Sequence, residues 1–212
     1  MKTNISNPNE DLQAIREIME RSSKFLSLSG LSGIFAGVCA LIGVAFAWFF
    51  LLDSGQIRYA EFMQNSDSLT VSGLRISLAI DAVLVLGFAL FGAFFFSRRN
   101  ARKAGQQFWT ISIRQLLFHL LIPLVSGGLF ILILVIQKNL MLVVPVMLIF
   151  YGLSLVNAGK FTLSEIHYLG LTEIILGILA GVFINYGLLF WTLGFGLMHI
   201  VYGTVMYYRH ER

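Results

Sequence analysis

The chain has 212 residues, of which 57% are hydrophobic and only 12% charged, about half the charged share of a soluble domain. Its net charge of +4 is scattered between apolar runs, which excludes a nucleic-acid face. The single Cys39 excludes an intrachain disulfide, and without a CxxC, HExxH, GxxxxGK[ST] or GxSxG run soluble-enzyme chemistry has no foothold.

Residues 1–27 are polar. Asn7 can cap a helix with Pro8 at its first position. Leu12, Ile15, Ile18, Met19 and Phe25 then fall on one side, so a short amphipathic helix is expected, lying on the membrane surface or docking a partner. Helix 1 is expected over 28–52. Gly30, Gly33, Gly37, Ala40 and Ala47 make one smooth stripe on it, and Gly33-x-x-x-Gly37 is the pattern that lets helix backbones approach. Residues 53–75 form a long loop of mixed charge.

Helix 2 is expected over 76–96. Asp81 lies a turn and a half from the loop, within reach of the headgroups and of Arg75. The basic run Arg98, Arg99, Arg102 and Lys103, followed by Arg114, reads as a loop touching anionic lipid headgroups, with Phe108 and Trp109 as aromatic anchors. Helix 3 (116–136) carries His119, and its Pro123 and Gly127-Gly128 predict a kink. After the turn Gln137-Lys138-Asn139 comes helix 4 (140–157), ending at Asn157.

Thr162-x-x-Glu165 reads as a capping box that starts helix 5 (163–184). The turn Asn185-Tyr186-Gly187 leads into helix 6 (188–208), and 209–212 is a short cytoplasmic tail. The expected architecture is thus all-α: a polytopic membrane protein with a six-helix domain over 28–208, arranged as three hairpins behind the N-terminal helix. Lys2, Arg16, Arg21, Lys24, the basic run, Lys160, Arg209 and Arg212 share one side, against Arg58, Arg75 and Lys138 on the other. The positive-inside rule puts both termini in the cytoplasm, and the bacterial inner membrane is the expected location.

There is an internal echo. Gly30 to Ala40 aligns without gaps on Gly170 to Ala180, and helices 2, 4 and 6 carry Phe91-Gly92, Tyr151-Gly152 and Tyr202-Gly203. Three hairpins of common ancestry, in parallel arrangement, would explain it.

The chemical lead is Glu173 with His199. Each lies thirteen residues from Tyr186. An antiparallel hairpin brings both to one level about 18–20 Å from the turn, near the middle of a hydrocarbon layer about 30 Å thick. A carboxyl group there must face protein or water and have a partner. Glu173 sits on the stripe of Gly170, Gly177 and Ala180, and His199 on that of Thr192, Gly196 and Gly203, so both point into close packing. The two are therefore expected within direct or one-water reach. Tyr202, His119, Asn157 and Asp81 are candidate supporting polar groups. Gly33, Gly37, Gly177, Gly181, Gly196 and Gly203 are the expected packing glycines.

The runs Tyr151–Asn157, Tyr168–Glu173 and Gly196–Gly203 resemble a group of small uncharacterised bacterial six-span integral membrane proteins. The resemblance covers most of the chain and implies the topology already derived, with no activity attached.

Three functional readings stand at this point. One is a non-enzymatic accessory, scaffold or regulatory membrane subunit, in which Glu173 and His199 are polar glue and a homo-oligomer or protein partner is expected. Another is a small proton-linked transporter or channel built on the same pair. The third, a haem or metal protein using His119 and His199, is disfavoured because the two histidines lie at different depths. No cofactor, metal or catalytic residue is expected.

Overall fold

The computed structural model describes residues 28–51, 69–105 and 109–212. The expected N-terminal amphipathic helix and most of the 53–75 loop lie outside them. The described residues form six helices long and apolar enough to cross a membrane. All-helical structure is what a bilayer demands, because each backbone group finds its partner within its own segment.

Helix 1 is Gly30–Phe46, continued by a π turn over Ala47–Leu51. Helix 2 is Leu69–Lys103, 35 residues, or about 52 Å at 1.5 Å per residue. It is much longer than the expected 76–96. Apolarity reports only the part in lipid, whereas helical hydrogen bonding continues through polar residues at both ends. Arg98, Arg99, Arg102 and Lys103 therefore stand on a helix, not in a loop, with all four side chains exposed. Helix 3 is Ile111–Ile136, with the Thr110 hydroxyl accepting from the Ile113 amide at 3.3 Å. It ends in a Schellman motif: Asn139 N–H donates to Leu134 O, Lys138 N–H donates to Val135 O, and Lys138 takes φ 61°.

Helix 4 is Leu140–Phe161, an α-helix over Val143–Ala158 with a 3-10 turn at each end. Helix 5 is Ser164–Val182. A 3-10 turn, Ile184–Tyr186, joins it to helix 6, which is α-helical over Gly187–Trp191, π over Thr192–Met198 and α-helical again over His199–His210.

Helices 1, 4, 5 and 6 form the packed centre, with helix 2 against helix 1 and helix 3 against helix 4. The glycines decide which helices touch closely. Helix 1 uses its stripe on helix 6: a Cβ at Gly37 would lie 2.6 Å from Gly196 O, and one at Gly203 2.7 Å from Gly30 O. Helix 5 uses its stripe on helix 4: a Cβ at Gly170 would lie 2.7 Å from Gly152 O, and one at Gly152 2.6 Å from Gly170 O. Real Cβ atoms do not approach backbone so closely, so only glycine fits at these crossings.

The two crossings match residue for residue. Gly37 meets Ile200 Cγ1 and N, and Gly177 meets Ile149 Cγ1 and N; Gly203 meets Ile34 N, and Gly152 meets Ile174 N. Adding 140 to the helix 1 numbers gives helix 5, and subtracting 51 from the helix 6 numbers gives helix 4. One expected packing glycine is not at a seam. Gly181 is exposed, and a Cβ there would find only Pro145 Cβ at 3.9 Å. It sits four residues past Gly177, where the contact of helix 5 with helix 4 is carried by the neighbouring Ala180, buried against Val144 and Leu148.

Candidate functional site

Helix 5 buries Leu169, Gly170, Glu173, Gly177 and Ala180 along one stripe, and Glu173 has 0% of its surface exposed. Gly194 of helix 6 makes room for it, since a Cβ at 194 would run into Glu173 Oε2 and come within 2.7 Å of Leu148 Cδ2. His199, also buried, places Nδ1 3.5 Å from Glu173 Oε1. The same Nδ1 is 3.0 Å from Gly194 O, and Nε2 is 2.7 Å from the Tyr151 hydroxyl of helix 4.

These distances assign the protons. A carbonyl only accepts, so Nδ1 carries hydrogen and donates to Gly194 O. In the neutral ring Nε2 is then the acceptor, and the Tyr151 O–H donates to it. The Nδ1–H is aimed at the carbonyl, so Glu173 lies beside the ring without a directed hydrogen bond. Neither carboxyl oxygen has a hydrogen-bond partner among the described residues. Gly194 O precedes His199 by five residues, the i to i+5 spacing of the π segment that holds Gly194. π turns inside α-helices are frequent at functional sites.

The surroundings differ on the two sides of the pair. Toward the 184–186 turn the packing is apolar and aromatic: Tyr151 to Phe195 at 5.1 Å, Trp191 to Phe195 at 5.2 Å, then Val144, Leu148 and Ala180. Toward the other end polar contacts continue. The Thr172 hydroxyl is 3.2 Å from the Tyr202 hydroxyl. Thr172 gives its own proton to Tyr168 O at 3.0 Å, so Tyr202 is the donor between them.

Farther along, the nearly buried Glu165 accepts from Arg209 Nη1 at 3.0 Å and lies 3.2 Å from His210 Nε2. Glu211 accepts from the Ser29 hydroxyl at 3.0 Å and from the Gly30 amide. Residues 209–211 are therefore not a free tail. They bind the ends of helices 5 and 1. Glu165 leaves its expected capping-box role for the same reason, and the helix 5 N-cap is Leu163.

The other candidates lie away from the pair. His119 stacks on Phe161 with ring centroids 4.7 Å apart. Asn157 lies six residues along helix 4 from Tyr151. Asp81 sits twelve residues into helix 2, beside Gly43 of helix 1, rather than a turn and a half from a loop. Tyr151 and Gly194 are the members of the site that sequence reasoning missed. One signal was available for Tyr151: it lies thirteen residues past Lys138, the same count that places Glu173 and His199. Among the described residues no three His, Cys, Asp or Glu side chains gather as a metal site. No protein-family model, curated protein or solved structure matches the chain.

Proposed function

We propose that this membrane protein is a small proton-linked transporter in which Glu173 and His199 take up and release the proton. One observation carries the reading. Glu173 is wholly enclosed at mid-helix, with neither oxygen hydrogen-bonded among the described residues, 3.5 Å from a titratable ring. Buried polar groups without partners are rare and demand an explanation, and an ionisable group in lipid is a functional position by default. His199 is a suitable relay partner, because an imidazole ring can take up a proton on one nitrogen and release one from the other.

The orientation places both termini and Arg98, Arg99, Arg102 and Lys103 on the cytoplasmic side of a bacterial inner membrane, where the four cations meet anionic headgroups. It is supported by the Lys/Arg asymmetry. Kinship with the group of small six-span bacterial proteins, and an origin in repeated hairpins, belong to the same reading. The test is proton movement in dye-loaded proteoliposomes under an imposed pH gradient, with candidate solutes added in turn. The parent is expected to move protons with one of them and Glu173→Gln not to. Equal signals from parent and variant refute the reading.

A second reading, a non-enzymatic accessory, scaffold or regulatory subunit, is favoured by the 0% exposure of Glu173. There the pair is interhelical glue of about 0.6–2 kcal/mol. It predicts no proton movement, and no loss of partner binding in Glu173→Gln.

A further inference from the structure

We infer that the protein is built of two rigid helix pairs, 1 with 6 and 4 with 5, that rock against each other about the 184–186 turn, with Glu165, Arg209 and His210 as the latch of the opening end. The inference deepens the transport reading and rests on it for the purpose of the motion, though not for the motion itself.

The pairs are defined by their contacts. Each is closed by the same reciprocal glycine crossing: Gly30 with Gly203 and Gly37 with Ile200 in one, Gly170 with Gly152 and Gly177 with Ile149 in the other. Backbone lies on backbone there, so neither pair can shear without collision. A correspondence at five positions (30 with 170, 34 with 174, 37 with 177, 200 with 149 and 203 with 152), each helix keeping a single offset, marks the two pairs as copies of one unit.

Contacts between the pairs are made by side chains: apolar and aromatic toward the 184–186 turn, where Tyr151 meets Phe195 and where Leu148 and Ala180 pack against Phe190 and Trp191, and polar from Glu173 to the other end. Glu173 to His199, Tyr151 to His199, Thr172 to Tyr202, and Glu165 to Arg209 and His210 all join a residue of helix 4 or 5 to one of helix 6. All are side-chain polar contacts that can break and reform. Equivalence sharpens this. The counterpart of Glu173 in the other unit is Gly33, and that of His199 is Leu148. Each unit therefore supplies one half of a site that exists only where the two meet, near the midplane, which is where repeat-built transporters hold their coupling groups.

The ends of the seam decide which side opens. At one end helices 5 and 6 are joined covalently through Ile184–Tyr186. At the other they are joined by Glu165, whose partners Arg209 and His210 are 68% and 37% exposed. Arg209 and His210 can exchange Glu165 for water, so these contacts can part at the scale of a charged hydrogen bond, whereas a three-residue turn cannot. Opening therefore proceeds from the Arg209 end. Glu211, holding Ser29 and Gly30, keeps helix 1 moving with helix 6.

Leu169 reports the opening. It is buried, and it lies on helix 5 one turn from Glu165 and one from Glu173. With Cys39→Ser as background, Leu169→Cys is labelled in membrane vesicles by a charged, membrane-impermeant thiol reagent. The label is expected to be slow in the parent. With Glu165→Gln or Arg209→Gln added it is expected to be about tenfold faster or more, the scale of losing a charged hydrogen bond. The acceleration should appear only when reagent meets the Arg209 face, and the swap Glu165→Arg with Arg209→Glu should restore the slow rate. Arg209→Gln guards against misfolding, since most of that side chain is outside the fold, and each variant is first checked for a monodisperse peak. Parental rates in both single variants, or equal acceleration from the opposite face, overturn the proposal. Labelling needs no proton movement, so it can succeed while the transport reading fails, and the reverse.

Discussion

The Tyr151 hydroxyl and His199 Nε2 are 2.7 Å apart and tie helix 4 to helix 6, and the Gly194 carbonyl on the other ring nitrogen sets the direction of that bond. Tyr151→Phe removes the donor and keeps the ring stack. Thermal melting in detergent should register a loss of about 0.6–2 kcal/mol, the scale of interhelical bonds in lipid. A melt identical to the parent's would show that the bond contributes nothing.

Glu173 and His199 should respond oppositely to leucine. Glu173 has no directed hydrogen bond to lose, so Glu173→Leu exchanges a costly polar group for an apolar one and should melt at the parent's temperature or above it. His199→Leu strands the Tyr151 hydroxyl and the Gly194 carbonyl and should cost about 1–3 kcal/mol. The reverse order would contradict the assignment of partners.

Gly37→Ala and Gly177→Ala should each destabilise by about 1–3 kcal/mol, because the new methyl meets backbone. Gly181→Ala meets only an ordinary contact with Pro145 Cβ at 3.9 Å and should be neutral or gain up to about 1 kcal/mol from helix propensity. The same detergent melts decide it, and a stable Gly177→Ala would mean the crossing can relax.

Glu211→Ala removes the carboxyl group that holds the first amide of helix 1. The expected loss is local and of cap size, about 0.5–2 kcal/mol. Hydrogen exchange of the amides at 30–33 should speed up while the centre of helix 5 keeps its protection. Unchanged exchange at 30–33 would count against the cap.

The Lys/Arg asymmetry predicts where each end lies. A reporter active only outside the cytoplasm should be silent when fused after Arg212 and active when inserted near Lys138. Activity after Arg212 would invert the orientation.

Much of this arrangement was legible because helices are regular. Equal residue counts from one turn brought Glu173 and His199 level, and small residues at helical spacing marked the faces that touch. Tyr151 obeys the same count and escaped because a phenol costs little in lipid and so draws no attention. Gly194 escaped because nothing local announces a π turn. The ends of helix 2 escaped because apolarity marks the lipid layer and not the helix. The role of Glu165 was misread because its partners lie 44 and 45 residues away, where local pattern gives no hint of them.

The partners of the helix 1 glycine stripe lie far along the chain, in helix 6. Ser29 bonds to a residue 182 positions later, and the Gly30 crossing needs Gly203. Synthesis runs from one to the other, so the first described span enters the bilayer with its glycine face turned to lipid until the sixth arrives. Helices 4 and 5 are neighbours in sequence and can meet at once. Assembly of this protein is then a two-stage event, in which an early pair forms from local contacts and waits for helix 6 to find helix 1. A ribosome stalled before Gly203 would leave helices 4 and 5 packed and helix 1 without its place.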